Sequence, residues 1–266
     1  MLRIAVQSKG RLFDDTMNLL SESDIKVGAS KRTLLVSAQN FPLEVLYLRD
    51  DDIPQSVATG VADIGIVGEN EFVERGAEAE IIRRLGFSKC RLSLAIPKAE
   101  NYTGLSWFNG KKIATSYPVI LKKFLADNNL NAEIHVITGS VEISPGIGLA
   151  DAIFDIVSSG STLVSNNLRE VEIVMQSEAL LIGHPGMSQE KRDILNQMLE
   201  IDRKGEENNR RIKALRDKNK DGDKAGASER YNQAELLSME NEKLVRAWLS
   251  LLERFILIED EFKAEK

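Results

Sequence analysis

The stretch DDIPQSVATGVADIGIVGEN, residues 51–70, decides the architecture. Its first part, Ile53–Thr59, is helix-like, and Ile64-Gly65-Ile66-Val67-Gly68 reads as a buried strand ending in glycine. The pattern repeats upstream. Leu2–Val6 is a short apolar run that stops at Lys9-Gly10-Arg11, a helical pattern starts near Leu12 and includes Met17, Leu19 and Leu20, and Leu34–Val36 and Leu43–Leu48 have strand character. Apolar strands alternating with helices predict parallel sheets covered by helices.

Downstream, Leu92–Ile96 is a strand that ends at Pro97, followed by a loop-rich stretch from Ala99 to Gly110. A second series then begins: Lys111–Ala114 as strand, Val119–Leu125 as helix, Glu133–Ile137 as strand, Ala150–Val157 as helix or helix and strand, and Val171–Met175 and Ala179–Ile182 as strands. Two such series predict two lobes around a cleft, residues 1–95 with 178–199 in one and 96–177 in the other. In open α/β sheets ligands sit at the carboxyl ends of strands, so the loops there matter most. After about residue 188 glycine, proline and strand-like runs fade while charge rises. Helical spacing of Ile194, Leu195, Met198, Ile212 and Leu215, a polar break at residues 221–228, and a second apolar face from Leu236 to Ile258 predict an α-helical hairpin over 200–266. Trp248 and Phe255 are read there as packing residues.

Of the 266 residues 42% are hydrophobic, enough for a sizeable interior, and the net charge of −6 argues against nucleic acid as the main partner. The lone Cys90 permits no internal disulfide, so a cytoplasmic location fits, and we read it as a small core residue. No secretory signal or membrane-length apolar run is visible, which predicts no membrane partner. His135, in an apolar strand, and His184, beside Pro185, read as structural. No Ser-His-Asp or Cys-His arrangement, zinc spacing or Walker loop is present.

The chemistry concentrates between Glu142 and Leu163. Ser158-Ser159-Gly160-Ser161-Thr162 follows an apolar segment. Glycine there permits close backbone approach while amides and hydroxyls supply donors, as a phosphate cradle requires. A Ser/Gly-rich surface turn is the plainer alternative. Asp155, just upstream, is placed to accept hydrogen bonds from ribose hydroxyls.

The string EISPGIGLADAIFDIVSSGSTL, residues 142–163, resembles the signature of the ATP phosphoribosyltransferases. Glu142, Gly148, Ala150, Ile153, Asp155, Ile156, Ser159, Gly160, Thr162 and Leu163 fall at its specified positions. The opening RIAVQSKGRL and the stretches KCRLSLAIP, NGKKIATSYP and LREVEIVMQSEALLI also resemble that family, so the likeness runs over residues 1–199. It implies an α/β core of the two-lobed periplasmic-binding-protein-like type (type II), with N1 of ATP displacing pyrophosphate from phosphoribosyl pyrophosphate. It further implies that Ser158, Ser159, Gly160, Ser161, Thr162 and Leu163 grip the 5-phosphate and that Glu142 and Asp155 hold the ribose. Lys9, Arg11 and Arg49 would meet the pyrophosphate and triphosphate charges, Lys9 and Arg49 chiefly on the sugar donor and Arg11 on ATP. Asp63, Glu69 and Tyr117 would line the adenine side. N1 of adenine carries a lone pair and no proton to lose, so alignment, basic side chains and Mg²⁺ on the polyphosphates would carry the reaction without a strong general base and without direct protein ligation of the metal. A homo-oligomer is expected.

The tail departs from the family. Long-form members continue into a small α/β regulatory domain and short-form members stop near residue 200–215, whereas here a charged helical hairpin follows. Asp217, Asn219, Asp221 and Gly222 mimic the start of an EF-hand loop, but Ser228 stands where the bidentate acid belongs, so a polar linker is the expectation. Two other readings remain at this point: a non-catalytic two-lobed ligand-binding protein, and an assembly module in which the helices pair with other chains.

Overall fold

The computed structural model describes residues 2–22, 25–28, 33–40, 43–220 and 227–264. The chain groups into two compact units, Arg3–Pro185 and one formed chiefly by Gly186–Lys266. The first begins with β1 (Leu2–Gln7), α1 (Arg11–Glu22), β2 (Leu35–Ser37), β3 (Leu43–Leu48), α2 (Ile53–Ala58), β4 (Ile64–Gly68), α3 (Glu69–Arg75) and β5 (Glu80–Arg84). It continues through β6 (Cys90–Pro97), β7 (Lys112–Thr115), α4 (Pro118–Asp127), β8 (Glu133–Val136), β9 (Ala152–Val157), α5 (Ser161–Ser165), β10 (Leu168–Ser177) and β11 (Ala179–Gly183).

These strands form two sheets, ordered β2-β3-β1-β4-β11-β5 and β10-β6-β9-β7-β8. The two share one plan. β1 lies between β3 and β4 as β7 lies between β8 and β9, and an antiparallel strand follows in each case, β11 against β4 and β6 against β9. The pairs β1/β4, β7/β8 and β7/β9 are parallel, so the strands' carboxyl ends in each lobe open toward the same edge. The chain crosses between sheets twice, over residues 85–89 and at Glu178. The Leu85 N–H donates to the Ala179 carbonyl at 2.9 Å and the Ala179 N–H to the Phe87 carbonyl at 3.1 Å, so the crossings run side by side. This is the expected two-lobed α/β core.

Local packing explains the plan. β4 buries Ile64, Ile66 and Val67, and α2 lies so close over it that a Cβ on Gly65 would stand 2.8 Å from Val57 and 2.9 Å from Ile53. Ala5, Ile53, Val57, Val67, Leu180 and Ile182 pack together in the first lobe. Leu92, Leu94, Phe108, Ile113, Leu121 and Phe154 do so in the second.

Two expectations need correction, and one strand went unseen. The Leu92–Ile96 run belongs to the second sheet, where β6 pairs with both β9 and β10, so sheet membership puts the lobe border between Arg84 and Cys90 and not at residue 95. An apolar strand does not encode which sheet accepts it. The segment Ala150–Val157 resolves as strand β9 from Ala152, with no helix in it. Strand β5 was not foreseen, because EIIRR at a sheet edge carries charges that mask its alternation.

The second unit holds α6 (Gln189–Lys220) and α7 (Ala227–Ala264), the expected hairpin, with Leu195, Asn208, Ile212 and Ala234 buried. Asn208 Nδ2 donates to Asn241 Oδ1 at 3.1 Å and Asn241 Nδ2 to Asn209 Oδ1 at 2.9 Å, three asparagines in a polar contact of the kind that fixes helix register. The compact unit starts at Gly186, not residue 200. Ala227 and Ser228, expected in the break, already belong to α7. Asp221 and Gly222 lie outside the described residues, as do the side chains of Asn219, Trp248 and Phe255.

Candidate active site

The loops after β1, β3, β4, β7 and β9 converge where the two lobes face each other. The first link is Arg11, at the start of α1. Its Nη1 donates to Ser158 Oγ at 2.7 Å and its Nη2 to the Lys89 carbonyl at 2.8 Å. The guanidinium thus joins the loop after β1 to the Ser158–Thr162 turn after β9 and to the first chain crossing. Arg11, expected at the polyphosphate charges and chiefly beside ATP, lies against the hydroxyl-rich turn.

That turn is built for close approach. Gly160 takes the left-handed region at φ 81°, which glycine adopts without the usual strain, and caps the short α5. Ser159 and Ser161 hydroxyls lie 3.0 Å apart, and the first-turn amides of Thr162 and Leu163 have no helical acceptor. Ser159, Ser161 and Thr162 are exposed, whereas Leu163 is buried and anchors the turn in the second-lobe core. Arg91 Nη1 donates to the Ser158 carbonyl at 3.2 Å while its Nε pairs with Glu170 Oε1 at 2.5 Å, which holds the Glu170 carboxyl below its ordinary range. The turn is therefore basic at its rim.

On the strand leading into it, half-buried Asp155 has its carboxyl pushed up to about 6, first by burial and then by the charge of Glu142, against the opposing hydrogen bond from the Ile156 amide. Glu142 comes from the single-turn helix Val141–Ile143. The two acids named by the sequence are thus close enough to feel each other. Asp155 is also felt at the Tyr117 hydroxyl.

The expected adenine-side residues fare differently. Tyr117 is 7% exposed, its hydroxyl accepts from Asn70 Nδ2 at 3.2 Å and is hydrogen-bonded to Glu71, so it lies behind the wall of the cleft and titrates above its ordinary value, chiefly through burial. Glu69 is clasped by Arg84, whose Nη1 donates to Oε2 at 2.6 Å and whose Nη2 donates to Oε1. Both line a cavity of about 420 Å³ with Lys89, Gln176, Ser177 and Glu178. Asp63 does not join the site. It precedes β4, at the opposite end from the cleft, and its carboxylate accepts the Arg3 N–H at 2.7 Å. Lys9 and Arg49 are exposed in the loops after β1 and β3; Arg49 Nε reaches Asp51 at 3.1 Å. His184 Nδ1 meets the Val57 carbonyl at 3.1 Å, a structural contact.

Sequence reasoning missed Asn70, Glu71, Glu74 and Ser177, all buried polar residues at the junction of the lobes. ENEFVER reads as a solvated helix face, and nothing local marks its polar side as the buried one. Among the described residues no cluster of three His, Cys, Asp or Glu side chains could hold a metal ion, and no helix is long and apolar enough to cross a membrane.

A family model described as ATP phosphoribosyltransferase matches residues 49–202, more than half of the chain. The chain belongs to that family. The ATP phosphoribosyltransferase of Bacteroides thetaiotaomicron is 76% identical over 199 residues, covering 75% of this chain and 70% of the relative. That of Cytophaga hutchinsonii is 57% identical with the same coverage. Among solved structures, an ATP phosphoribosyl transferase (HisG:HisZ) complex from Thermotoga maritima matches with a TM-score of 0.64 at 27% identity, over 75% of this chain and 96% of that one. The chain is an ATP phosphoribosyltransferase, the enzyme that joins N1 of ATP to the ribose of phosphoribosyl pyrophosphate at the first step of histidine biosynthesis. The family model ends at residue 202, so the rest of the helical pair lies outside the match.

Proposed function

We propose that the two substrates occupy opposite walls of the cleft in residues 3–185, with the sugar donor on the Ser158–Leu163 turn. The observation that carries this reading is the Arg11–Ser158 bond, which brings a cation from the first lobe onto the hydroxyl-rich turn of the second. The 5-phosphate takes the amides and hydroxyls of Ser159, Gly160, Ser161 and Thr162, with Arg11 as the bidentate cation beside them. Asp155 and Glu142 hold the ribose hydroxyls. Lys9 and Arg49, exposed across the cleft, meet the pyrophosphate and the triphosphate. The Glu69 side of the cleft, near the cavity at the chain crossings, receives the purine.

In the reaction the N1 lone pair of adenine forms a bond to C1′ as the bond from C1′ to the pyrophosphate oxygen breaks, and the pair of electrons leaves with pyrophosphate. Asp155 and Glu142 offset the positive charge that develops on the ribose, and the basic side chains offset the charge on the leaving group. Mg²⁺ fits this donor set as a cation carried by the polyphosphates, since it keeps much of its water shell and the two acids offer hard oxygens without forming a closed cage. Carried on the polyphosphates, the ion would supply charge neutralisation to the leaving pyrophosphate. The reading extends to self-association, supported by the exposed aliphatic side chains of Val136, Ile143 and Ile147 on the second lobe.

The test is to mix the protein with ATP, phosphoribosyl pyrophosphate and Mg²⁺, add pyrophosphatase and follow the absorbance of the product nucleotide. Thr162→Val is expected to raise KM for the sugar donor roughly tenfold and to leave KM for ATP nearly unchanged. Equal rises in both would count against the assignment of the walls.

A further inference from the structure

Helix α4 of the second lobe begins with Pro118, and its N-cap residue, Tyr117, makes no side-chain capping bond. The amides of the first turn need acceptors from elsewhere. They find them in the other lobe: Glu74 Oε1 accepts the Val119 N–H at 2.9 Å and Oε2 accepts the Ile120 N–H at 3.0 Å. Glu74 is 7% exposed, and a buried carboxylate is tolerated only when both oxygens are used, here at the positive end of a helix. The cap of a second-lobe helix is therefore supplied by α3 of the first.

One turn earlier on α3, Asn70 makes the neighbouring contacts. Its Nδ2 donates to the Tyr117 hydroxyl at 3.2 Å, its backbone N–H to Ser177 Oγ at 3.1 Å, and its Oδ1 accepts from that hydroxyl at 2.9 Å. Arg75 extends the joint to the substrate side, with Nε 3.4 Å from Glu71 and Nη2 3.7 Å from Asp51 in the loop after β3. Asn70, Glu71, Glu74 and Ser177 are all buried, so the joint is dry and directional. Otherwise the two sheets are linked by side-by-side chain crossings, an arrangement that leaves twist about the crossings open, and by contacts at the cleft such as Arg11–Ser158 and Ser88–Asp15.

We propose that Glu74 is a positioning residue for the transfer: by capping α4 across the lobes it sets the angle at which the two walls of the cleft present their substrates. The proposal rests on the assignment of the sugar donor and ATP to opposite walls. The 5-phosphate and ribose rest chiefly on the second lobe, and the long side chains of Arg11, Lys9 and Arg49 that reach across from the first accommodate a small change of angle better than the meeting of N1 with C1′ does. A displacement of about 1 Å between reacting groups costs up to roughly a hundredfold in rate.

The experiment compares Glu74→Ala and Glu74→Gln with the unaltered full chain. It measures kcat, the two KM values and equilibrium binding of phosphoribosyl pyrophosphate with Mg²⁺, after circular dichroism has established folding at the assay temperature. Glu74→Ala is expected to lower kcat by about tenfold or more while binding of the sugar donor stays within about twofold. Glu74→Gln, which keeps one acceptor oxygen, is expected to fall between the two, and it carries the test should the alanine variant not fold. A folded Glu74→Gln with unaltered kcat, or losses in kcat and in sugar-donor binding by the same factor, overturns the proposal. Failure of the unaltered protein to bind the sugar donor would instead fault the assignment of the walls, which the binding arm detects by itself.

Discussion

At the residue scale, the proposed chemistry turns on Asp155. Its carboxyl is pushed up to about 6 by burial and by Glu142, so the folded protein without substrates disfavours the ionised form. A folded pKa above the unfolded one means the folded state binds more protons, so this group's contribution to stability is present at low pH and is lost as pH rises from about 4 through about 6. The neutral Asp155→Asn variant escapes that loss, and its melting temperature relative to the parent is expected to rise across the same window. In the proposed role catalysis runs the other way, because only the carboxylate would offset a ribose cation. The kcat/KM for the sugar donor should therefore fall as pH drops through about 6, a limb that Asp155→Asn lacks, and the variant should lose roughly a hundredfold in kcat with a much smaller loss in binding. A flat pH profile in both proteins would remove Asp155 from that role. Asp155 and Glu142 could be singled out because they stand in a long, specific string, and the fold brings the charge of one within reach of the other. Asp63 was misread because sequence gives a strand's residues without saying which end faces the cleft, and Asp63 lies at the end where Arg3 takes its carboxylate.

At the scale of elements, α2 sets the loop that carries Arg49 and Asp51, and its approach to β4 depends on Gly65. The methyls that a Cβ would meet, on Val57 and Ile53 at 2.8 and 2.9 Å, belong to β-branched side chains with little freedom to turn away. Gly65→Ala should cost about 1–3 kcal/mol by overpacking, read as a lower urea midpoint at unchanged slope. An unchanged midpoint would mean that α2 shifts without penalty. The helices and central strands were readable from apolar runs between glycines, as in Ile64–Gly68. The edge strand β5 and the sheet to which β6 belongs were not, since both follow from pairings made far along the chain. The polar face of α3 was hidden for a related reason: Asn70, Glu71 and Glu74 take their partners from Tyr117, Val119, Ile120 and Ser177, none of them near in sequence.

At the scale of the molecule, a repeated sheet plan makes two lobes from one chain that crosses twice, and the carboxyl ends of the strands face the space in which the proposed site lies. The tail was legible as a helical pair and no further, because helical apolar spacing specifies a partner surface without saying what enzymatic role it serves. The central claim is that the turn after β9 receives the sugar phosphate at the meeting of the lobes. Crystals of the full chain soaked in phosphoribosyl pyrophosphate and Mg²⁺ test it most directly. The account predicts phosphate density within hydrogen-bond reach of the Ser159, Gly160 and Thr162 amides, with the Arg11 guanidinium beside it and the ribose against Asp155. A phosphate bound elsewhere, with that turn vacant under saturating ligand, would contradict it.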